Sequence, residues 1–196
     1  RRIVGVETEY GSTAVAGPGA SSLTPDEIAR YLFRPIVEQY ASSNIFTPNG
    51  SRLYLDVGSH PEIATAECDS LTQLLNHEQA GDLVVDELAR RAEEALAADR
   101  IDGRVYLFKN NVDSGGNSYG CHENYLLRRS RDFRAMVDSL VSFLVTRQVV
   151  VGAGDLRTDG LGQTRYVLSA RADQMQDAVS AATTRSRPIV NTRDEP

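Results

Sequence analysis

Apolar and polar residues alternate from the start of the chain. Val4 and Val6 fall on one set of positions and Glu7 and Glu9 on the other, which predicts a β-strand over 2–10. The segment 51–57 repeats the pattern: Leu53, Leu55 and Val57 are apolar, while Tyr54 and Asp56 lie between them. Residues two apart on a strand share a face and stand roughly 6.6 Å apart. Each strand therefore has an apolar face suited to a core and an opposite face lined with carboxylate and phenol. Such a face is a poor choice for packing and a good one for a divalent cation and phosphate.

The pattern elsewhere is more varied. Residues 12–22 are rich in Gly, Ala, Ser and Pro, which predicts a loop. Thr24, Pro25 and Glu27 form a helix start, with Thr24 as cap and Glu27 completing a capping box. Ile28, Leu32 and Ile36 give that helix its apolar stripe, and Pro35 predicts a kink or an end. Pro48-Asn49-Gly50 predicts a turn, and Pro61 restricts the next few residues to a loop or sheet edge. A long helix is predicted over 71–98, with Leu74, Leu75, Val84, Leu88, Ala92 and Leu96 recurring and Gly81 as a possible break. Strands are predicted over 104–109, 122–126, 165–168 and 188–191, helices over 133–144 and 172–182, and loops over 111–120 and 152–163. No repeat or regular βαβ rhythm is present. The reading is an α+β fold, an antiparallel or mixed sheet with helices on one face and an open polar face on the other.

Composition narrows the function classes. The chain has 196 residues, 41% hydrophobic and 24% charged, enough for a sizeable core. A net charge of −6 argues against a general nucleic-acid footprint. No run approaches the roughly 20 apolar residues of a membrane span, and no secretory signal opens the chain. Cys68 and Cys121 are too few and too far apart for a disulfide framework, so a reducing, cytoplasmic setting is expected. The first residue is not Met, and Asp194-Glu195-Pro196 comes soon after the strand-like Ile189-Val190-Asn191. A fragment cut inside a domain is expected.

Three polar doublets carry the candidate chemistry. Glu7 and Glu9 share a face, where their charges repel by up to about 1 kcal/mol unless a cation intervenes. Hard oxygen ligands of this kind suit Mg2+. Tyr54 and Asp56 form the second doublet, with His60-Pro61-Glu62 close behind. Asp56 would serve as a base if it lay near the ion but not on it. His122 and Asn124 form the third, after a Gly/Ser/Asn loop. His77, in the long helix, reads as surface or packing. Arg185, Arg187 and Arg193 form a late basic stretch. The first two read as a solvated loop, while Arg193, after a strand, is placed to clamp a carboxylate or phosphate.

Some apparent motifs fail. Val151-Gly152-Ala153-Gly154 opens like a dinucleotide fingerprint, but Arg157 stands at the third glycine and no helical pattern comes after it. There is no phosphate-binding P-loop. Cys121 lacks a second thiol at zinc spacing, and Cys121 and His122 point to opposite faces of a strand.

Longer segments carry a resemblance. Gly5 to Gly11, Asn49 to Glu62, Leu107 to Asn111, Ser118 to Leu126 and Ile189 to Pro196 closely resemble the Pup ligase family (proteasome accessory factor A). The similarity runs along the whole chain and corresponds to roughly the first two-fifths of such a protein. It implies a glutamine-synthetase-like carboxylate–amine ligase fold. Residues 1–196 would be the N-terminal part of the large catalytic domain, with the rest of that domain and a small C-terminal domain absent. The implied activity is ATP-dependent attachment of the C-terminal glutamate of Pup, a small disordered protein tag, to lysines of target proteins through a γ-glutamyl phosphate.

By motif position, the resemblance assigns Glu7, Glu9, Tyr54, Glu62 and His122 to Mg2+ and Asp56 to the base that accepts the lysine proton. Asn124 and Arg193 would contact phosphates or the acyl group. The missing C-terminal part of the same protein is an expected partner. A sister family, the Pup deamidase/depupylase, shares the fold, but its long insertion after the first strand is absent between Ser12 and Asn49. Ile63 and Ala170 depart from the family's usual residues at positions away from the proposed chemistry. A non-catalytic Pup-binding module and a ligase for a small amine are the remaining alternatives.

Overall fold

A computed structural model describes residues 2–17, 22–56, 58–113, 115–129, 131–182 and 187–193. Val57, Arg185 and Asp194–Pro196, each named above, lie outside the described residues. The chain forms two compact units. The first comprises residues 1–110 and 119–127, and the second comprises 111–118 and 128–196.

The first unit is built on a five-stranded antiparallel sheet. Its strands are β1 (Val4–Glu9), β3 (Asn44–Phe46), β4 (Arg52–Leu55), β5 (Pro61–Ala64) and β7 (Cys121–Tyr125), in the order β3-β4-β5-β1-β7. A separate hairpin pairs β2 (Gly11–Ala16) with β6 (Gly103–Phe108). Two helices complete the unit, α1 (Pro25–Tyr40) and α2 (Leu71–Ala98). The core joins Ile28, Leu32 and Phe33 of α1 to Val85, Leu88, Ala92 and Leu96 of α2 and to Leu53 and Ile63 of the sheet. Leu53, Ile63 and Thr8 lie directly opposite one another across β4, β5 and β1, so they share the face against which the helices pack. The other face is left for the polar residues.

The capping box forms: the Glu27 amide donates to Thr24 Oγ1 at 3.3 Å, and the Thr24 amide donates to Glu27 Oε2 at 2.8 Å. Helix α1 continues through Pro35 to Tyr40 instead of ending there. Helix α2 is likewise unbroken at Gly81. A Cβ on Gly81 would stand 2.8 Å from Ile63 Cγ2, so this glycine lets the helix approach the sheet. The buried stripe of α2 runs through Gly81, Val85, Leu88, Ala89, Ala92 and Leu96, whereas Leu75 and Val84 face solvent.

Three strands depart from the sequence reading within this unit. Gly11–Ala16, expected as loop, pairs along its whole length with β6, a long-range partner that small residues do not announce. Asn44–Phe46 adds a short edge strand. Pro61 starts a strand inside the sheet, a position where a missing N–H is tolerated, and its carbonyl accepts the Tyr10 amide at 2.8 Å.

The second unit contains α3 (Phe133–Thr146), α4 (Gln148–Val151), a hairpin of β8 (Asp155–Thr158) and β9 (Thr164–Val167), and a parallel pair of β10 (Met175–Ser180) and β11 (Arg187–Asn191). Strand β8 lies in the span expected to be loop. Its turn is set by Asp159 Oδ1, which accepts the Leu161 and Gln163 amides at 2.9 and 3.0 Å. Residues 172–182, expected as helix, form a single 3-10 turn succeeded by β10. Pairing with β11 overrides the helical preference of Ala, Gln and Met.

Candidate metal and phosphate site

Register decides which side chains meet. Directly opposed residues of an antiparallel ladder project to one face. Tyr54 lies opposite Glu62, and Glu62 opposite Glu9, making one row across β4, β5 and β1. Glu7 lies opposite His122, with Arg52 and Ala64 continuing that row through β4 and β5. Asn124 lies opposite Gly5, one row further. Glu7, Glu9, Tyr54, Glu62, His122 and Asn124 thus share the face away from the helices.

One trio is tight. Ligand atoms of Glu7, Glu62 and His122 all lie within 4.8 Å of one another. His122 Nδ1 stands 2.8 Å from Glu7 Oε2, and the Tyr54 hydroxyl donates a short bond to Glu7 Oε1. Burial opposes the Glu7 charge, but the bonds from His122 and Tyr54 outweigh it and hold this carboxyl below its ordinary range. Glu62 shows the reverse. It is buried and faces the charges of Glu7, Asp56 and Glu9, and burial first, then those charges, push its carboxyl up to about 8. Burial, then the bond to Glu7, also raises the Tyr54 phenol. Two carboxylates and an imidazole around one point, with a buried acid held mainly among like charges, fit a hard divalent cation such as Mg2+.

Glu9 is engaged differently. Its Oε1 meets His60 Nδ1 and its Oε2 accepts the Gly120 amide, both through short bonds. The end of β1 is fixed by the next residue, since the Tyr10 hydroxyl donates to Asp82 Oδ1 on α2 at 2.6 Å. Lys109, just past β6, donates to Asp82 Oδ2 at 2.8 Å and to Glu78. Asp56, exposed, lies just after β4 in the turn to β5, where its amide donates to the His60 carbonyl at 3.0 Å.

The sequence reading passed over two residues of this face. Arg52 carries its guanidinium 4.3 Å above the Tyr54 ring, with Nε donating to Asn44 Oδ1 at 2.9 Å. The signal was its spacing of two from Tyr54. His60 was visible within its motif but had no assigned partner. His77, on α2, contacts the turn before β4, with Nδ1 3.3 Å from Asn49 Nδ2 and 3.4 Å from Ser51 Oγ. Arg193 belongs to the second unit, its amide donating to Asn191 Oδ1 at 2.8 Å. Arg187, expected in a solvated loop, sits on β11 and donates to the Ser118 carbonyl at 3.2 Å.

Comparison with known proteins identifies the family. A sequence model described as Pup-ligase protein matches residues 2–196. The chain is 62% identical over 202 aligned positions to the Pup–protein ligase of Corynebacterium efficiens, covering 100% of this chain and 41% of that one. It therefore spans about two-fifths of the length of the curated relatives it matches. A crystal structure of the complex between the prokaryotic ubiquitin-like protein Pup and its ligase PafA matches with a TM-score of 0.88 and 58% identity, over 100% of this chain and 39% of that one. A structure of the Pup ligase PafA in complex with ADP matches with a TM-score of 0.70 and 60% identity, over 93% of this chain and 40% of that one. The chain belongs to the Pup-ligase family.

Proposed function

We propose that this chain supplies the cation- and phosphate-facing part of an ATP-dependent ligase that joins the C-terminal glutamate of Pup to lysines of target proteins. The observation that carries the proposal is the Glu7–Glu62–His122 trio on the open face of the sheet. The ADP and Pup bound by its solved relatives agree with it.

In this reading Glu7, Glu62 and His122 hold Mg2+, which when bound supplies charge neutralisation to the phosphates of ATP. Tyr54 keeps Glu7 ionised and aimed. The γ-carboxylate of Pup's terminal glutamate attacks the γ-phosphorus of ATP, giving an acyl phosphate and ADP. The lysine amine then attacks the acyl carbon and phosphate leaves with the bonding electrons. Asp56 takes the proton that the amine must lose. The Arg52 guanidinium and Asn124 offer donors for phosphate or acyl oxygens.

Residues 1–196 are the N-terminal part of the catalytic domain in this reading, and the remaining length of the relatives completes the site. The setting is read as cytoplasmic. No helix among the described residues is long and apolar enough to cross a membrane, and Cys68 is a buried thiol outside any disulfide.

The proposal is tested with the sequence completed to the length of its relatives. ADP release should require Pup, ATP and Mg2+ together, and Glu7→Gln should abolish it. ADP release that ignores Pup overturns the proposal.

A further inference from the structure

The proposed reaction consumes lysine amines, and these residues hold a single one. Lys109 is the one lysine among 21 Lys and Arg residues, and the rest are arginines. The two types differ toward an acyl phosphate. A guanidinium stays charged and offers no nucleophile, whereas a lysine amine becomes one when it loses its proton.

Lys109 stands just past β6, and its surroundings hold that proton in place. Nζ donates to Asp82 Oδ2 at 2.8 Å and, through a short bond, to Glu78. Glu78 and Asp82 are four apart on α2, so both carboxylates leave the helix from one face. Asp82 is itself fixed, because the hydroxyl of the buried Tyr10 donates to its Oδ1 at 2.6 Å. Nζ also lies 5.8 Å from the centroid of the Tyr10 ring. Burial opposes the Lys109 charge, but the bonds to Asp82 and Glu78 outweigh it and hold the ammonium above its ordinary range. Cover does not protect this side chain, since 38% of it is exposed. The two carboxylates are what stand between the amine and an electrophile.

Attack on an acyl phosphate needs the neutral amine. Nζ would first give up a proton and leave both carboxylates. Its lone pair would then form the bond to the acyl carbon, phosphate would leave with the bonding electrons, and a second proton would pass from nitrogen to a base.

We propose that Lys109 is a latent acceptor, held out of the ligation reaction by its ion pairs with Glu78 and Asp82, so that this part of the chain does not take the tag it transfers. The proposal rests on the ligase reading for the reaction; the pairing that restrains the amine is measured without it.

Two measurements on the sequence completed to its relatives' length test it. In the first, trace acetic anhydride is shared between Lys109 and free Nα-acetyl-lysine, and acetylation at residue 109 is read by peptide mass spectrometry. Two ion pairs of this exposure should slow wild-type Lys109 roughly tenfold against the free amine. Glu78→Gln leaves the Tyr10–Asp82 bond untouched, and Asp82→Asn keeps an oxygen for Tyr10. Each should raise the rate several-fold. A wild-type Lys109 as reactive as the free amine, or a rate that neither substitution raises, overturns the proposal.

In the second, Pup, ATP, Mg2+ and a separate lysine-bearing acceptor are added, and conjugates are mapped by residue. Arg104→Lys puts a second amine at an exposed position of β6. Pup should be found at position 104 of that variant and not at Lys109. Glu78→Gln combined with Asp82→Asn should add Pup at Lys109. Conjugation of wild-type Lys109, or of neither position while the separate acceptor is conjugated, overturns the proposal. A separate acceptor left unmodified counts against the ligase reading instead, and the acetylation rates then decide whether the pairing restrains the amine.

Discussion

Replacing Glu62 by Gln removes one charge from the buried acid row while keeping its shape, and the structure fixes the sign of the effect. The Glu62 carboxyl rises from 4.5 to about 8 in the folded state, through burial and then the charges of Glu7, Asp56 and Glu9. A carboxyl raised on folding gives stability that is fully present below its unfolded value and is lost as pH climbs through the folded one. Displacement of this size costs metal-free wild type about 4 kcal/mol between about pH 5 and about pH 9. Glu7, held below its ordinary range, acts in the opposite window: its contribution is lost only as pH falls below about 4.5, so it does not interfere.

The assay is urea unfolding of metal-free protein in EDTA across that pH range. Wild type should weaken steadily toward alkaline pH. Glu62→Gln should be flat and should exceed wild type by a few kcal/mol at about pH 9. Added Mg2+ should restore wild type but not the variant. A wild-type curve that is flat, or a variant curve of the same slope, would refute the argument that Glu62 is a buried acid held among like charges.

The same contacts predict three further outcomes. Mg2+ binding at about pH 7 should release about one proton, seen as a calorimetric heat that differs between buffers of different ionisation enthalpy; buffer-independent heat would count against it. Asp56→Asn should slow transfer to lysine by roughly 10^2–10^4 while acceptor-free ADP formation persists, and loss of both reactions together would remove Asp56 from the role of base. Gly81→Val should cost about 1–3 kcal/mol in thermal unfolding, because the added carbons meet Ile63 across the helix–sheet contact. A more stable variant would show that α2 does not rest on Ile63.

The polar doublets were legible because strand alternation is local: Val4, Val6, Leu53 and Leu55 identify the core-facing positions, and the remaining residues must point the other way. Local pattern cannot supply register. Nothing in the sequence states that Glu62 stands opposite both Tyr54 and Glu9, and that pairing is what buries Glu62 among carboxylates. Strand β2 was hidden for the same reason, since Gly11, Ser12, Thr13 and Ala14 take their structure from β6. Helix α2 was legible as a helix, but Gly81 read as a break because propensity carries no information about Ile63 on the facing sheet. Residues 175–180 read as helix because their pairing partner lies beyond the window. His60 appeared only as part of a motif, and its partners Glu9 and Tyr119 come from elsewhere in the chain.

The central claim is that the open face of the sheet activates a carboxylate for attack by an amine. Intact-mass spectrometry of a lysine-bearing acceptor tests it most directly, after incubation with Pup, ATP, Mg2+ and the sequence completed to its relatives' length. The acceptor should gain the mass of Pup less one water, with one ADP formed per conjugate, and Glu7→Gln should give neither. An acceptor of unchanged mass, or a conjugate formed without ATP, would contradict the claim.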